Sequence, residues 1–199
     1  VTPAKLATTG RFTFPTGAAN GYGFASGAVH LSGTGSPEGV VTAAPGSTWL
    51  QTDATTDVKG WLRWIKATGT GNTGWVAGPE ADTGGRNLSA EAMSNGWAVY
   101  VNVFTLRRIG SQVMLGLYMS KASATAAVAY TLPSGFRPYL REARCPAITE
   151  IADDYVPASV TEDGAITVQY TQMSGGYVYI GMTWMTTDYW PTSLPGTAH

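Results

Sequence analysis

Residues 165–196 read AITVQYTQMSGGYVYIGMTWMTTDYWPTSLPG, and this stretch decides the fold class. Two alternating runs, 165–171 and 177–184, flank a segment at 173–176 that has the composition of a tight turn. Apolar residues occupy every second position in each run, so one face suits a core and the other is partly polar and partly aromatic. The pattern predicts a β-hairpin near the end of the chain.

The composition agrees with an all-β protein of short strands and tight turns. Only 13% of the 199 residues are charged, and 25 are glycines. The formal net charge is −1, so the chain has no overall field that would favour nucleic acid or an anionic membrane surface. The sequence also lacks an apolar run of membrane-spanning length. It therefore predicts neither nucleic acid nor a membrane as a partner.

Hydrophobic patterning divides the chain into four parts. Residues 1–35 alternate weakly and receive no assigned role, whereas residues 36–79 have the strand and turn signals of a small β module. Residues 80–95 are predicted to form a linker with one short helix over 87–93. Residues 96–199 contain six or more alternating runs at turn spacing, which predicts a β-sandwich or jelly-roll-like head domain.

Four tryptophans, Trp49, Trp61, Trp64 and Trp75, are concentrated in the small module. A unit of about 40 residues has little core of its own, so this aromatic surface predicts burial against further copies of the chain. The alternative is that the tryptophans pack within their own hairpins or against residues 1–35.

Several stretches of the chain resemble one family of viral proteins. Two segments resemble a module of minor tail and receptor-binding proteins of long-tailed bacteriophages: SPEGVVTAAPGSTWLQTD at 36–53 and GTGNTGWVAG at 69–78. Four further stretches resemble the head domain of such proteins: GWAVYVNVFTLRRIGSQVMLGL at 96–117, YTLPSGFRPYLREARCPA at 130–147, VTEDGAITV at 160–168 and TWMTTDYWPTSLPG at 183–196.

The resemblance implies a location and a function. It implies a homotrimer at the tail tip of a virion, in contact with other phage tail proteins. It further implies that the head domain attaches, without enzymatic activity, to a saccharide or teichoic-acid-like polymer on the surface of a host bacterium.

Saccharide binding needs aromatic rings for the C–H faces of sugars and planar polar groups for their hydroxyls. Eight residues of the head domain meet this requirement and are predicted to bind the ligand: Asp153, Asp154, Tyr155, Tyr177, Tyr179, Arg137, Tyr189 and Trp190. Arg137, together with Arg141 and Arg144, would also suit the phosphate of a wall polymer. The alternative for each residue is packing within the fold or pairing with a carboxylate.

Catalysis needs constellations that this sequence does not offer. A glycosidase uses two carboxylates about 5–10 Å apart across a cleft, whereas Asp153 and Asp154 are chain neighbours that would point apart on a strand. The two histidines, His30 and His199, supply neither a Ser-His-Asp set nor metal-ligand spacing. The sequence therefore predicts no catalytic residue, no metal site and no cofactor, and an incidental role for the single Cys145.

Two other functions remain open at this point. One is a purely structural tail or capsid-decoration trimer that binds no receptor. The other, less favoured, is a tail enzyme that degrades glycans.

Overall fold

The computed structural model describes residues 20–23, 27–54, 61–121, 127–149, 155–169 and 176–199. These residues form strands and turns, and no helix occurs among them, so the all-β prediction is confirmed. The strands belong to a five-stranded sheet followed by a nine-stranded sheet.

The five-stranded sheet belongs to the small module, and its strands are adjacent in chain order. They are β1 (Asn20–Gly23), β2 (Val29–Gly33), β3 (Thr48–Gln51), β4 (Leu62–Lys66) and β5 (Trp75–Ala77). The pairing of β2 with β3 is parallel, and the other pairings are antiparallel. Strands β1 and β2 join this sheet, so the small module extends N-terminally beyond residue 36.

Three of the four tryptophans of the small module are buried within a single chain. Trp49, Trp64 and Trp75 are at most 3% exposed. Each indole nitrogen donates a hydrogen bond, to Gly35 O at 3.1 Å, Gln51 Oε1 at 3.0 Å and Val41 O at 2.8 Å, respectively. The prediction that these rings need further copies of the chain is therefore wrong, because the module folds its own loops over them. Trp61 alone of the four is exposed, at 41%.

The Glu38 carboxylate connects two loops of the small module, the turn at 37–39 and the Gly-rich loop at 68–74. Glu38 accepts hydrogen bonds from the amides of Gly74, at 3.3 Å, and Trp75, at 2.7 Å. Close to this contact, the Gly39 amide donates a hydrogen bond to Asn72 O at 2.8 Å. Charged acceptors make the stronger kind of hydrogen bond, so Glu38 fixes the Gly-rich loop at 68–74 against the turn at 37–39.

The nine-stranded sheet forms the head domain. Its strands are β6 (Arg86–Asn87), β7 (Trp97–Ile109), β8 (Gln112–Lys121), β9 (Ala127–Thr131), β10 (Glu142–Thr149), β11 (Tyr155–Thr161), β12 (Ala165–Val168), β13 (Gly176–Met185) and β14 (Thr197–Ala198). All pairings are antiparallel, and the spatial order is β14-β6-β7-β8-β13-β10-β11-β12-β9. The predicted hairpin of runs 165–171 and 177–184 is wrong, because β12 pairs with β11 and β9 whereas β13 pairs with β8 and β10.

The sheet curls around its own core. Edge strand β9 meets the turn before β7, where the Ser94 amide donates to Ala129 O and Asn95 Nδ2 donates to Val128 O. The inner face carries fully buried apolar side chains from most strands, among them Phe104, Leu117, Met119, Val160, Ile166, Val178 and Ile180. One curled sheet therefore encloses the core of the head domain.

The short helix predicted over residues 87–93 is not formed. Asn87 ends β6, and its side chain accepts a hydrogen bond from the Ser89 amide at 2.8 Å, which is an Asx turn. Leu88 is fully buried in the head core, and its amide donates to Phe104 O at 2.7 Å. The Asx turn at Asn87 and the hydrogen bond from Leu88 to β7 therefore form in place of the helix.

The C-terminal tail connects the two modules. Trp190 lies within the core of the small module and is 6% exposed. Two residues earlier, one carboxylate oxygen of Asp188 accepts hydrogen bonds from the amides of Gly135, at 2.8 Å, and Arg137, at 3.3 Å. The tail therefore holds the proline-rich corner of the head at 133–138 while its tryptophan completes the neighbouring core.

Arg108 lies at this junction and is 5% exposed. Its guanidinium donates to the main-chain carbonyls of Gly110, Gly135, Asp188 and Tyr189. It also lies over the Trp190 ring, with Cζ 5.0 Å from the ring centroid. Burial lowers the pKa of Arg108 to about 10, and the nearby Asp188 carboxylate opposes the decrease. The group stays charged at neutral pH, and its charge is compensated largely by carbonyl dipoles.

We expect Arg108→Met to lower the free energy of unfolding by about 3 kcal/mol, because four buried or partly buried carbonyls lose their donor. The matched control is Arg107→Met on the adjacent, half-exposed arginine, which pairs with Asp82 at 2.6 Å. An exposed ion pair contributes about 0–1 kcal/mol. Urea unfolding followed by tryptophan fluorescence measures both variants, and equal losses would contradict the central role of Arg108.

Candidate functional site

A row of large side chains crosses the outer face of the nine-stranded sheet. Strand register places Tyr155 of β11 opposite Ile148 of β10, and Ile148 opposite Tyr179 of β13. Tyr179 is in turn opposite Tyr118 of β8. Tyr155, Ile148 and Tyr179 are 66%, 50% and 44% exposed. Directly opposite side chains on one face are neighbours, so the row forms a continuous strip over four strands.

Four tyrosine rings cluster at one end of this row. The centroid of Tyr100 lies 5.0 Å from that of Tyr118, edge to face, and 4.1 Å from that of Tyr177. Tyr118 also contacts Tyr179 edge to face, with centroids 6.3 Å apart. Such contacts hold each ring in place. We name this surface the tyrosine face, and it comprises Tyr100, Tyr118, Ile148, Tyr155, Tyr177 and Tyr179.

Two glycines on the same outer face allow neighbouring side chains to pack close to the sheet backbone beside the rings. Gly116 of β8 and Gly181 of β13 are directly opposite each other. A Cβ on Gly181 would lie 3.5 Å from Cε1 of Tyr179, so the ring leans toward the position of the absent side chain. A Cβ on Gly116 would lie 2.8 Å from Oγ1 of Thr105. Glycine inside a strand is typical of places where another group approaches the backbone closely.

The structure brings together three of the eight predicted ligand-binding residues. Tyr155, Tyr177 and Tyr179 all belong to the tyrosine face, although they come from two strands that are not sequence neighbours. Asp153 and Asp154 lie outside the described residues.

The other three predicted residues lie outside the tyrosine face. Trp190 is buried in the small module, so the prediction that it offers an exposed platform is wrong. Arg137 is partly buried, and its Nε donates to Leu132 O at 3.1 Å. Tyr189 is 69% exposed and lines a cavity of about 370 Å³ between the modules, with Trp190 in its wall.

Sequence reasoning missed Tyr100, Tyr118 and Ile148 as members of this surface. A signal for Tyr118 exists, because Leu117 and Met119 on either side are core residues and alternation therefore turns Tyr118 outward. No local sequence pattern predicts that Ile148 lies next to the tyrosines. Their proximity depends on the pairing of β10 with β13, which only the tertiary fold establishes.

Two ionisable groups of β10 have shifted pKa values with structural causes. Glu142 has a lowered pKa because it accepts hydrogen bonds from Ser159 and Arg144, and its Oε2 lies 2.6 Å from Arg144 Nη2. Burial raises the pKa of the Cys145 thiol, which keeps it protonated at neutral pH.

Two further observations concern the described part of the chain. Among these residues, no group of three or more His, Cys, Asp or Glu side chains is placed to hold a metal ion. Nor does this part contain a membrane-spanning helix.

Comparison with models of known protein families gives no match to this chain, and comparison with curated proteins likewise finds no match.

Proposed function

We propose that this protein is a receptor-binding protein of a bacteriophage tail and that it attaches to a cell-wall saccharide or a teichoic-acid-like polymer through the tyrosine face. The observation that carries the proposal is the exposed strip of Tyr155, Ile148 and Tyr179 on a rigid sheet. Contiguous apolar surface of this kind is typical of binding sites on otherwise polar proteins. The resemblance of the head sequences supplies the biological setting.

The shape of the surface suits a sugar polymer. Tyrosine rings combine an apolar body with a hydroxyl, so they pack on the C–H faces of a sugar and hydrogen-bond to its hydroxyls. The row spans four neighbouring strands, about 15 Å at the usual strand spacing, which is long enough for several sugar units. Because the rings are held by one another, little side-chain entropy is lost when a ligand binds.

We further propose that the protein acts as a homotrimer in the virion tail tip, alongside other tail proteins. The trimer rests on the sequence resemblance alone, since three of the four tryptophans of the small module are buried within one chain. Several weak saccharide sites on one particle would raise the overall affinity through effective concentration.

The solution mass tests the trimer directly. Light scattering coupled to size exclusion is expected to give about three times the mass of one chain, and the value should persist on dilution. A mass equal to one chain would contradict the trimer and leave the binding site to be tested separately.

Tyr155→Ala is expected to weaken binding to bacterial cell walls about tenfold or more, because it removes one end of the aromatic row. The side chain is 66% exposed, so the melting temperature should change little. The assay is sedimentation of labelled protein with purified walls from a panel of bacteria, followed by titration on the wall that binds best.

The matched control for this substitution is Tyr189→Ala, which removes a tyrosine of equal exposure, 69%, from outside the tyrosine face. It should leave binding unchanged. Loss of binding in Tyr189→Ala alone would move the site to the cavity between the modules. Failure of the wild-type protein to bind any wall would favour a purely structural tail protein.

We propose that attachment involves no turnover of the glycan. Prolonged incubation of the protein with cell-wall polysaccharide should release no new reducing ends, whereas a muramidase included as a positive control should release them. Reducing ends that increase with the concentration of this protein would overturn the non-enzymatic proposal.

A further inference from the structure

A wide bulge borders the tyrosine face. The register of β7 on β8 shifts between Val99 and Phe104, so that residues 100–103 of β7 face Tyr118 alone. Bulges bend a strand and redirect its side chains. Tyr100 is the first residue of this bulge, and its ring packs on the tyrosine cluster. The bulge is therefore part of the same surface.

The bulge holds its backbone in an unfavourable conformation. Val101 has a φ of +46° and Asn102 a φ of +58°. This left-handed region is tolerated by asparagine but is an outlier for a β-branched residue. Among the described residues, Asn95 is the one other non-glycine with positive φ. Such conformations cluster at ligand sites, where the surrounding structure maintains them.

The two strained residues present complementary chemistry to solvent. Val101 is 61% exposed, which is unusual for valine on a strand, and Asn102 is also exposed. The Asn102 amide carries both donors and acceptors, as the recognition of sugar hydroxyls requires. An apolar group, a planar amide and aromatic rings thus occupy adjoining positions.

The tyrosine face and residues 100–103 contain no cationic side chain, which favours a neutral ligand over a polyanion. Of the arginines suited to phosphate, Arg144 pairs with Glu142 at 2.6 Å, and Arg137 donates to Leu132 O. Arg141 acts electrostatically on the same Glu142 carboxylate. Arg144 and Arg137 therefore have partners within the head.

We propose that residues 100–103 form the specificity-determining edge of the tyrosine face, where Val101 packs on a sugar ring and the Asn102 amide selects a neutral saccharide by its hydroxyls. This inference rests on the proposed function and narrows its ligand to the uncharged class. The strained backbone exposes both side chains directly after Tyr100 in the chain.

Two glycine substitutions test the proposal, since glycine accepts positive φ without strain. Asn102→Gly removes the amide, and Val101→Gly removes the apolar contact and relieves the left-handed valine. Each should lower the apparent affinity for the best-binding cell wall at least fivefold. The melting temperature of Val101→Gly should equal or exceed that of the wild-type protein. Asn95→Gly, at a left-handed asparagine in the turn before β7, is the matched control and should bind as the wild type does.

The same titration is repeated on walls whose phosphodiesters have been cleaved with hydrofluoric acid. Retained binding of the wild-type protein, with the same loss in Asn102→Gly, supports a neutral saccharide. Loss of wild-type binding after this treatment would overturn the proposal in favour of a phosphate polymer.

Unchanged affinity of both bulge variants for a wall that the wild-type protein binds would overturn the role of the bulge alone. If the wild-type protein binds no wall, the proposed function fails and this inference fails with it.

Discussion

A buried cation sets the arrangement of the two modules. The Arg108 guanidinium is charged, and burial without acceptors would cost several kcal/mol. The chain meets this requirement with carbonyls from three separate places, the β7–β8 turn at Gly110, the corner at Gly135 and the tail at residues 188 and 189. These segments are therefore held at fixed distances from one side chain. Because Trp190 packs on the same guanidinium and belongs to the core of the small module, the constraint extends to both sheets.

The alternation of the strands separates the core of the head sheet from its aromatic outer face. Side chains such as Leu117, Val178 and Ile180 point into the core and are fully buried. Their immediate neighbours Tyr118 and Tyr179 point outward. Since the inner face alone closes the core, the outer face is free to carry aromatic rings and a strained bulge. A ligand site on such a sheet needs no loop rearrangement to form.

Single-chain packing changes what the aromatic content of the small module implies. A short segment rich in tryptophan suggests apolar surface that a second chain must cover. Here, however, the loop at 35–41 and the side chain of Gln51 supply hydrogen-bond acceptors for three indole nitrogens of the same chain. Further aromatic surface comes from Trp190, which lies more than 100 residues after Trp75 in the chain and adds to the same core. The exposed aromatic surface of the head lies instead on tyrosines, which tolerate both water and apolar contacts.

The all-β class and the outward orientation of Tyr177 and Tyr179 follow from the sequence by itself, because alternation with a period of two is a local property of a strand. The Asx turn at Asn87 has a local signal too, but the burial of Leu88, which excludes the helix, depends on a distant strand. The tertiary structure alone places Tyr155 and Ile148 next to Tyr179. It also packs Tyr100, at the start of the left-handed bulge, on the tyrosine cluster, and it buries Trp190 in the core of the small module. Register, curl and burial are decided by contacts between residues far apart in the chain, and no pattern within one strand encodes them.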